Sequence, residues 1–139
     1  MIDPNNFVVK LCVQGMEHEG KGDFTGAARS FTEAWSQAAT DLERCIAAHY
    51  VARHQKTSLD ALRWNQLALD HANAASEDQL RGFYPSLYLN MGKAYEDFGD
   101  LQEAKRFYEL AAGVLASVPD GPYGSLVRDA IARARIRVR

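Results

Sequence analysis

Apolar residues recur at every third or fourth position through most of the chain, and polar or charged residues fill the positions between them. This spacing places the apolar side chains on one face of an α-helix, and no stretch shows the sustained alternation that is typical of a half-buried strand. From Asn5 to Tyr84 the chain contains no proline, the residue that most strongly interrupts a helix. The pattern predicts an all-α protein.

Glycine, proline and capping residues divide this pattern into seven helical segments. We predict helices over residues 5–20, 24–38, 41–55, 58–75, 77–98, 101–117 and 122–137. Capping boxes are expected at Thr40–Glu43, Ser76–Gln79 and Asp100–Glu103, because an oxygen-bearing side chain three residues before Glu or Gln satisfies free N–H groups at a helix start. Pro85 should kink or divide the fifth helix.

The chain also repeats itself at long range. Seven positions of the first part recur later in the chain at one constant spacing: Gly15, His18, Gly22, Asp23, Ala27, Phe31 and Ala34 are matched by Gly92, Tyr95, Gly99, Asp100, Ala104, Tyr108 and Ala111. A weaker copy lies between them, in which Ala61 and Ala68 follow Ala27 and Ala34 by equal distances along the sequence. The three copies cover approximately residues 8–40, 42–75 and 77–117.

The order of these positions resembles the tetratricopeptide repeat, a helix-turn-helix unit of about 34 residues. The resemblance extends from about Phe7 to Ser117. It implies a right-handed α-α superhelix of three stacked hairpins, closed by a capping helix over residues 122–137. We expect these elements to form a single domain over residues 1–139.

The same resemblance implies a concave groove, lined by the first helix of each repeat, in which a peptide or helix of a partner protein binds. The implied groove residues are Cys12, Met16, Glu19, Ile46, Tyr50, Arg53, His54, Leu89, Lys93 and Glu96. Apolar anchors mixed with charges suit recognition of a polypeptide segment. Some family members hold the C-terminal carboxylate of heat-shock chaperones with a Lys and Asn clamp. Lys93 alone does not reproduce that clamp, so binding of chaperone tails is not expected.

Composition and charge narrow the class of protein. The chain has 139 residues, of which 47% are hydrophobic and 24% charged, and its net charge is −2. These values are typical of soluble globular proteins. No apolar run reaches the roughly 20 residues of a membrane span, two cysteines are too few for a disulfide scaffold, and the first residues do not resemble a signal peptide. We expect a cytoplasmic protein that does not bind membranes.

No residue pattern indicates catalysis. The four histidines lack the spacing that puts two metal ligands on one helical face, and the glycine cluster near residue 20 is not followed by the Gly-Lys-Ser/Thr of a phosphate-binding loop. We interpret Cys12 and Cys45 as small, buried and inert thiols. The chain is therefore expected not to be an enzyme and to need neither a metal nor a cofactor.

The principal hypothesis is a non-enzymatic module that binds a cytosolic protein or peptide. An alternative is a homodimerising scaffold in which Trp64, Phe83, Tyr84 or the terminal helix face forms the contact. A further alternative is an RNA-associated adaptor, because residues 101–139 carry seven Lys or Arg against four Asp or Glu. The arginines concerned are Arg128, Arg133, Arg135, Arg137 and Arg139. Nucleic acid is the less favoured partner, since the whole chain has a pI of about 6.1.

Overall fold

The computed structural model describes residues 2–76 and 78–139, and within them it contains seven α-helices and no strand. Helices make up 82% of the structure, which confirms the all-α prediction. The helices are α1 Phe7–Gly20, α2 Phe24–Gln37, α3 Asp41–Val51, α4 Ser58–Ala75, α5 Tyr84–Phe98, α6 Leu101–Gly113 and α7 Pro122–Arg137. Three short 3-10 helices, Ala52–His54, Asp78–Phe83 and Leu115–Ser117, follow α3, precede α5 and follow α6.

The predicted helices that differ most from the structure are those that end or begin in these 3-10 turns. The third and sixth helices tighten into a 3-10 turn at their C-terminal ends, as helix termini often do. The predicted fifth helix is divided into the 3-10 segment Asp78–Phe83 and α5, and Pro85 lies in the first turn of α5. A proline is tolerated there because the first N–H groups of a helix have no intrahelical partner. The predicted start of the fifth helix, at residue 77, lies outside the described residues.

The helix caps agree with the sequence at two of three places. Thr40 and Glu43 form a complete capping box at the start of α3. At α6 the Asp100 carboxylate accepts a hydrogen bond from the Glu103 N–H, which is one of the two hydrogen bonds of a capping box. Ser76 does not begin a helix: it ends α4 in a left-handed conformation, with φ of 49°. The predicted capping box over Ser76–Gln79 includes residue 77, which lies outside the described residues, so this box stays a prediction.

The chain divides into two compact units, residues 1–77 and 78–139. In the first unit, α1 pairs with α2 and α3 pairs with α4, while α3 also packs against both helices of the first hairpin. In the second unit, α5 pairs with α6, and α7 packs against both of them. The expectation of one domain over residues 1–139 stays a prediction.

The two units use the same close helix contact. A Cβ atom built on Gly15 in α1 would lie 2.2 Å from the Phe31 ring of α2, and one built on Gly92 in α5 would lie 2.5 Å from the Tyr108 ring of α6. Both rings are completely buried. The aromatic side chain therefore lies directly against glycine backbone in each hairpin. Gly15 and Phe31 are the positions that the long-range repeat matches with Gly92 and Tyr108, so the sequence repeat is accompanied by a repeat in packing.

Candidate functional site

The end of α1 and the end of α3 bring together three residues that are predicted to line a groove. Glu19 lies in the last turn of α1, and Arg53 and His54 lie in the 3-10 turn that follows α3. Arg53 Nη1 donates a hydrogen bond of 2.8 Å to Glu19 Oε1, while His54 Nε2 lies 2.8 Å from Glu19 Oε2. One carboxylate thus holds two side chains that are distant from it in the sequence.

Aromatic rings pack against the residues that make these polar contacts. The His54 and Tyr50 rings both stack on the buried Phe31 ring, with centroid distances of 5.7 Å and 5.2 Å. The guanidinium of Arg53 lies 4.7 Å from the centre of the Tyr50 ring, a cation–π distance. Phe24 is the first residue of α2, and the centre of its ring lies 5.9 Å from the centre of the His54 ring. We refer to Glu19, Phe24, Tyr50, Arg53 and His54 as the Glu19 cluster.

The residues of the Glu19 cluster differ in their exposure to solvent. The side chains of Glu19 and His54 are largely covered, at 19% and 18% exposed. Phe24 is 60% exposed and the Arg53 side chain 41% exposed. The exposed groups of the cluster are therefore the Phe24 ring and the Arg53 guanidinium. The less accessible His54 imidazole contacts the first, and the less accessible Glu19 carboxylate binds the second.

Three other predicted groove residues of the first unit contribute little exposed surface. Met16 is half-buried. Cys12 is buried, as expected for an inert thiol, and Ile46 is buried as well, so these two side chains offer almost no surface to a ligand while their assignment to a groove stays a prediction. Ile46 is covered because α3 packs against α1, α2 and α4. Burial raises the pKa of the Cys12 thiol to about 12, with the positive charge of Arg53 lowering it in part, so the thiol stays protonated at neutral pH.

In the second unit the predicted groove residues Leu89, Lys93 and Glu96 all lie on α5 but have different surroundings. Leu89 packs against the buried residues of α6 and α7. Lys93 is exposed and forms an ion pair of 2.6 Å with Asp97, one helical turn away. Leu89 packs in the core and Lys93 forms an ion pair within its own helix. The second unit therefore presents less of the predicted recognition surface than the first.

Glu96 joins all three helices of the second unit. Its carboxylate accepts a hydrogen bond of 2.7 Å from the Tyr108 hydroxyl of α6, and Arg137 Nε of α7 donates to it at 3.0 Å. The hydrogen bond from Arg137 holds the pKa of the Glu96 carboxyl below its usual value, against the opposing effect of burial. Burial and the adjacent Glu96 charge raise the pKa of Tyr108. The Glu96 carboxylate therefore stays charged and the Tyr108 hydroxyl stays neutral at physiological pH.

Glu19 and Glu96 occupy equivalent positions of the long-range repeat and have matching roles. Glu19 holds the side chains at the end of α3, and Glu96 holds Arg137 near the end of α7. Each carboxylate thus attaches a hairpin to the helix packed against it. The family resemblance places both residues only in a groove and does not predict this structural role. Their equivalent place in the repeat was the signal from which the common role of the two carboxylates could have been inferred.

His49 and Cys45 are buried, and burial shifts the pKa of each side chain. Burial lowers the pKa of His49 to about 3, with a further contribution from the Arg53 charge, so this imidazole is neutral. Burial also raises the pKa of Cys45 to about 12. Among residues 2–76 and 78–139, no three His, Cys, Asp or Glu side chains are arranged to hold a metal ion.

Several of the terminal arginines make contacts within the protein. Arg135 donates two hydrogen bonds to Glu109, at 2.9 and 3.1 Å, and Arg137 is bound to Glu96. Arg128 donates to the Val118 carbonyl at 3.0 Å. Because these side chains already have acceptors, an RNA backbone would have to compete with the ion pairs that attach α7 to its neighbours.

Comparisons of the chain with protein-family models, with curated proteins and with solved structures gave no match. In the part of the chain that the structure describes, no helix combines the length and apolar character needed to cross a bilayer. The geometry of the Glu19 cluster and the repeated hairpin contact therefore form the basis for a functional proposal.

Proposed function

We propose that the chain is a non-enzymatic protein-protein interaction module of the tetratricopeptide type, and that the Glu19 cluster binds a segment of a partner protein. The observation that carries this proposal is a pair of exposed side chains held by the covered residues of the cluster: the Phe24 ring lies against His54, and the Arg53 guanidinium is bound to the same Glu19 carboxylate as His54. Exposed aromatic and arginine side chains are the residue types that contribute most to binding at protein interfaces.

The repeat assignment is supported by the matched contacts of the two units. Gly15 lies against Phe31 as Gly92 lies against Tyr108, and Glu19 and Glu96 each bind a neighbouring helix. The right-handed superhelix of three repeats, with α7 as capping helix, belongs to the same proposal. We also propose a cytoplasmic location, which is supported by two cysteines that are free and buried.

The chemistry of the cluster indicates the kind of segment it binds. Arg53 uses one N–H group on Glu19, and a guanidinium has five in all, so further donors are available for a carboxylate of the partner. Phe24, which lies against His54, offers exposed apolar surface in the same cluster. Because Glu19 already restrains Arg53, less side-chain freedom is lost when a ligand binds. The proposed ligand is a peptide in which Asp or Glu stands next to a large apolar residue.

A peptide-display selection on the full chain tests this proposal. We expect the selected peptides to be enriched in an acidic residue beside Leu, Ile or Phe. Their affinity, measured by fluorescence anisotropy, should fall about tenfold in Arg53→Ala and in Phe24→Ala, since each substitution removes one element of a two-part site. Arg63→Ala, which removes an exposed arginine of α4, is the matched control and should bind as the wild type does.

Circular dichroism of each variant verifies that the fold is retained. Phe24 is the more decisive position, since a side chain that is 60% exposed contributes little to the core. If no peptide is enriched, or if the selected peptides bind equally well to both variants and to the wild type, the Glu19 cluster is not the docking site.

A further inference from the structure

Helix α7 has two apolar faces. The buried residues of its inner face are Gly124, Val127, Ile131 and Ala134, of which the last three pack with residues of α5 and α6, as does Val138 just beyond the helix. On its outer side Leu126 and Ile136 are 65% and 61% exposed, although they are large apolar residues. The inner face accounts for the attachment of α7 to its own unit, whereas the outer residues have no such role.

The outer residues form a regular stripe along the helix. Pro122, Leu126, Asp129, Arg133 and Ile136 are separated by four, three, four and three residues. This is the spacing of the contact face between two helices of a coiled coil. Leu126 and Ile136 flank a central acidic and basic pair. No ion pair of Asp129 or Arg133 occurs in the part of the chain that the structure describes.

We propose that a second copy of this chain binds this stripe, so that two α7 helices pack antiparallel across a two-fold axis at the level of residue 131. Leu126 and Ile136 each lie five residues from that level, and Asp129 and Arg133 each lie two residues from it. An antiparallel arrangement therefore places Leu126 opposite Ile136 of the partner subunit. It also places Asp129 opposite Arg133 of the partner subunit, and the two-fold axis repeats both contacts.

The charges on the stripe select this direction. In a parallel pair, Asp129 would face the same carboxylate of the second copy and Arg133 the same guanidinium, and like charges across an interface are unfavourable. In the antiparallel pair, every charge faces its opposite. The neighbouring arginines Arg135 and Arg137 oppose association only weakly, because Glu109 and Glu96 neutralise them within each copy.

The proposed contact is small. One helix pair with four large apolar side chains covers less surface than a standard stable interface, so we expect a reversible dimer with a dissociation constant on the order of micromolar or weaker. The contact uses only α7 and does not involve the Glu19 cluster. Peptide binding and self-association are therefore separate properties, and either can fail without the other.

Sedimentation velocity of the full chain over a wide concentration range tests the proposal. The wild type should shift from monomer to dimer as concentration rises. Asp129→Arg and Arg133→Asp should each raise the dissociation constant by at least about tenfold, since each places two pairs of like charges in the interface. Glu33→Arg, a charge reversal at an exposed position of α2, is the matched control and should leave the dimer unchanged.

Two further measurements test the geometry. An equimolar mixture of Asp129→Arg and Arg133→Asp should form a heterodimer, and a chain that carries both substitutions should dimerise again by itself, because opposite charges then face each other. Self-association that survives Asp129→Arg, or a double variant that stays monomeric, would overturn the antiparallel arrangement. A wild type that is monomeric at every concentration would overturn the proposal as a whole.

Discussion

The contact between Gly15 and Phe31 makes a sharp prediction for the substitution Gly15→Ala. The added Cβ would lie 2.2, 2.6 and 2.7 Å from three carbon atoms of the Phe31 ring. Carbon atoms in ordinary contact are about 3.5 to 4.0 Å apart, so the overlap is more than about 1 Å. The ring has little space to move because it is completely buried and is stacked on Tyr50 and His54.

Two opposing effects determine the change in the free energy of unfolding. Alanine is favoured over glycine inside a helix by about 1 kcal/mol. Overpacking of a filled core costs about 1 to 3 kcal/mol and occasionally more, and the overlap at Gly15 places it at the upper end of that range. We expect a net loss of about 2 kcal/mol, which corresponds to a fall in Tm of several degrees for a chain of this length.

Urea and thermal unfolding followed by circular dichroism measure this loss. Gly20→Ala is the control within the same helix, because nothing lies within 4 Å of a Cβ at Gly20. That variant should be neutral or more stable by up to about 1 kcal/mol. The second unit offers the same comparison: Gly92→Ala should destabilise, whereas Gly113→Ala should not.

A double variant tests whether the Phe31 ring is the cause. Replacement of Phe31 by Leu removes the atoms that the new Cβ would meet, so Gly15→Ala should cost less in a Phe31→Leu background than in the wild type. The close contact between Gly15 and Phe31 would be refuted if Gly15→Ala were as stable as Gly20→Ala. It would also be refuted if Gly15→Ala lowered the free energy of unfolding equally in both backgrounds.

Three other predictions follow from the buried polar groups. Since the pKa of His49 is about 3 in the folded state and about 6.5 when unfolded, only the unfolded state takes up a proton between these values, and stability falls as pH drops below about 6.5. Urea titrations should show a loss of about 2 kcal/mol from pH 7 to pH 5, and His49→Gln should reduce this pH dependence. Tyr108→Phe removes the hydrogen bond to Glu96 and should lower the free energy of unfolding by about 1 to 2 kcal/mol; an unchanged urea midpoint would contradict this. Cys12 and Cys45 should react with a thiol reagent only after denaturation, and rapid labelling of the native protein would refute their burial.

The helices were largely predictable because their signals are local. The apolar spacing, Thr40 with Glu43 at the start of α3, and the proline in the first turn of α5 all act within a few residues. The end of α4 at Ser76 was not predicted in its detail: a serine near a helix boundary can cap the helix that follows or close the one that precedes, and local sequence does not distinguish the two.

The candidate site was predictable only in part. The family resemblance assigned Glu19, Tyr50, Arg53 and His54 to one groove, and the structure places these four side chains together. The burial of Cys12 was expected for an inert thiol, but that of Ile46 was not, because the exposure of a helical face depends on how many other helices pack around it. Phe24 was missed as a site residue, since its position beside His54 arises only when α2 and α3 are packed.

By itself the sequence determined which segments are helical and which positions of the first hairpin recur in the later one. Tertiary structure alone decided what the recurring carboxylates bind, since Glu19 meets Arg53 and Glu96 meets Arg137 across long stretches of intervening chain. It also decided that α7 turns one apolar face inward and leaves Leu126 and Ile136 exposed. The physical reason is that helix formation depends on neighbours along the chain, whereas pairing and exposure depend on which helices the fold brings into contact.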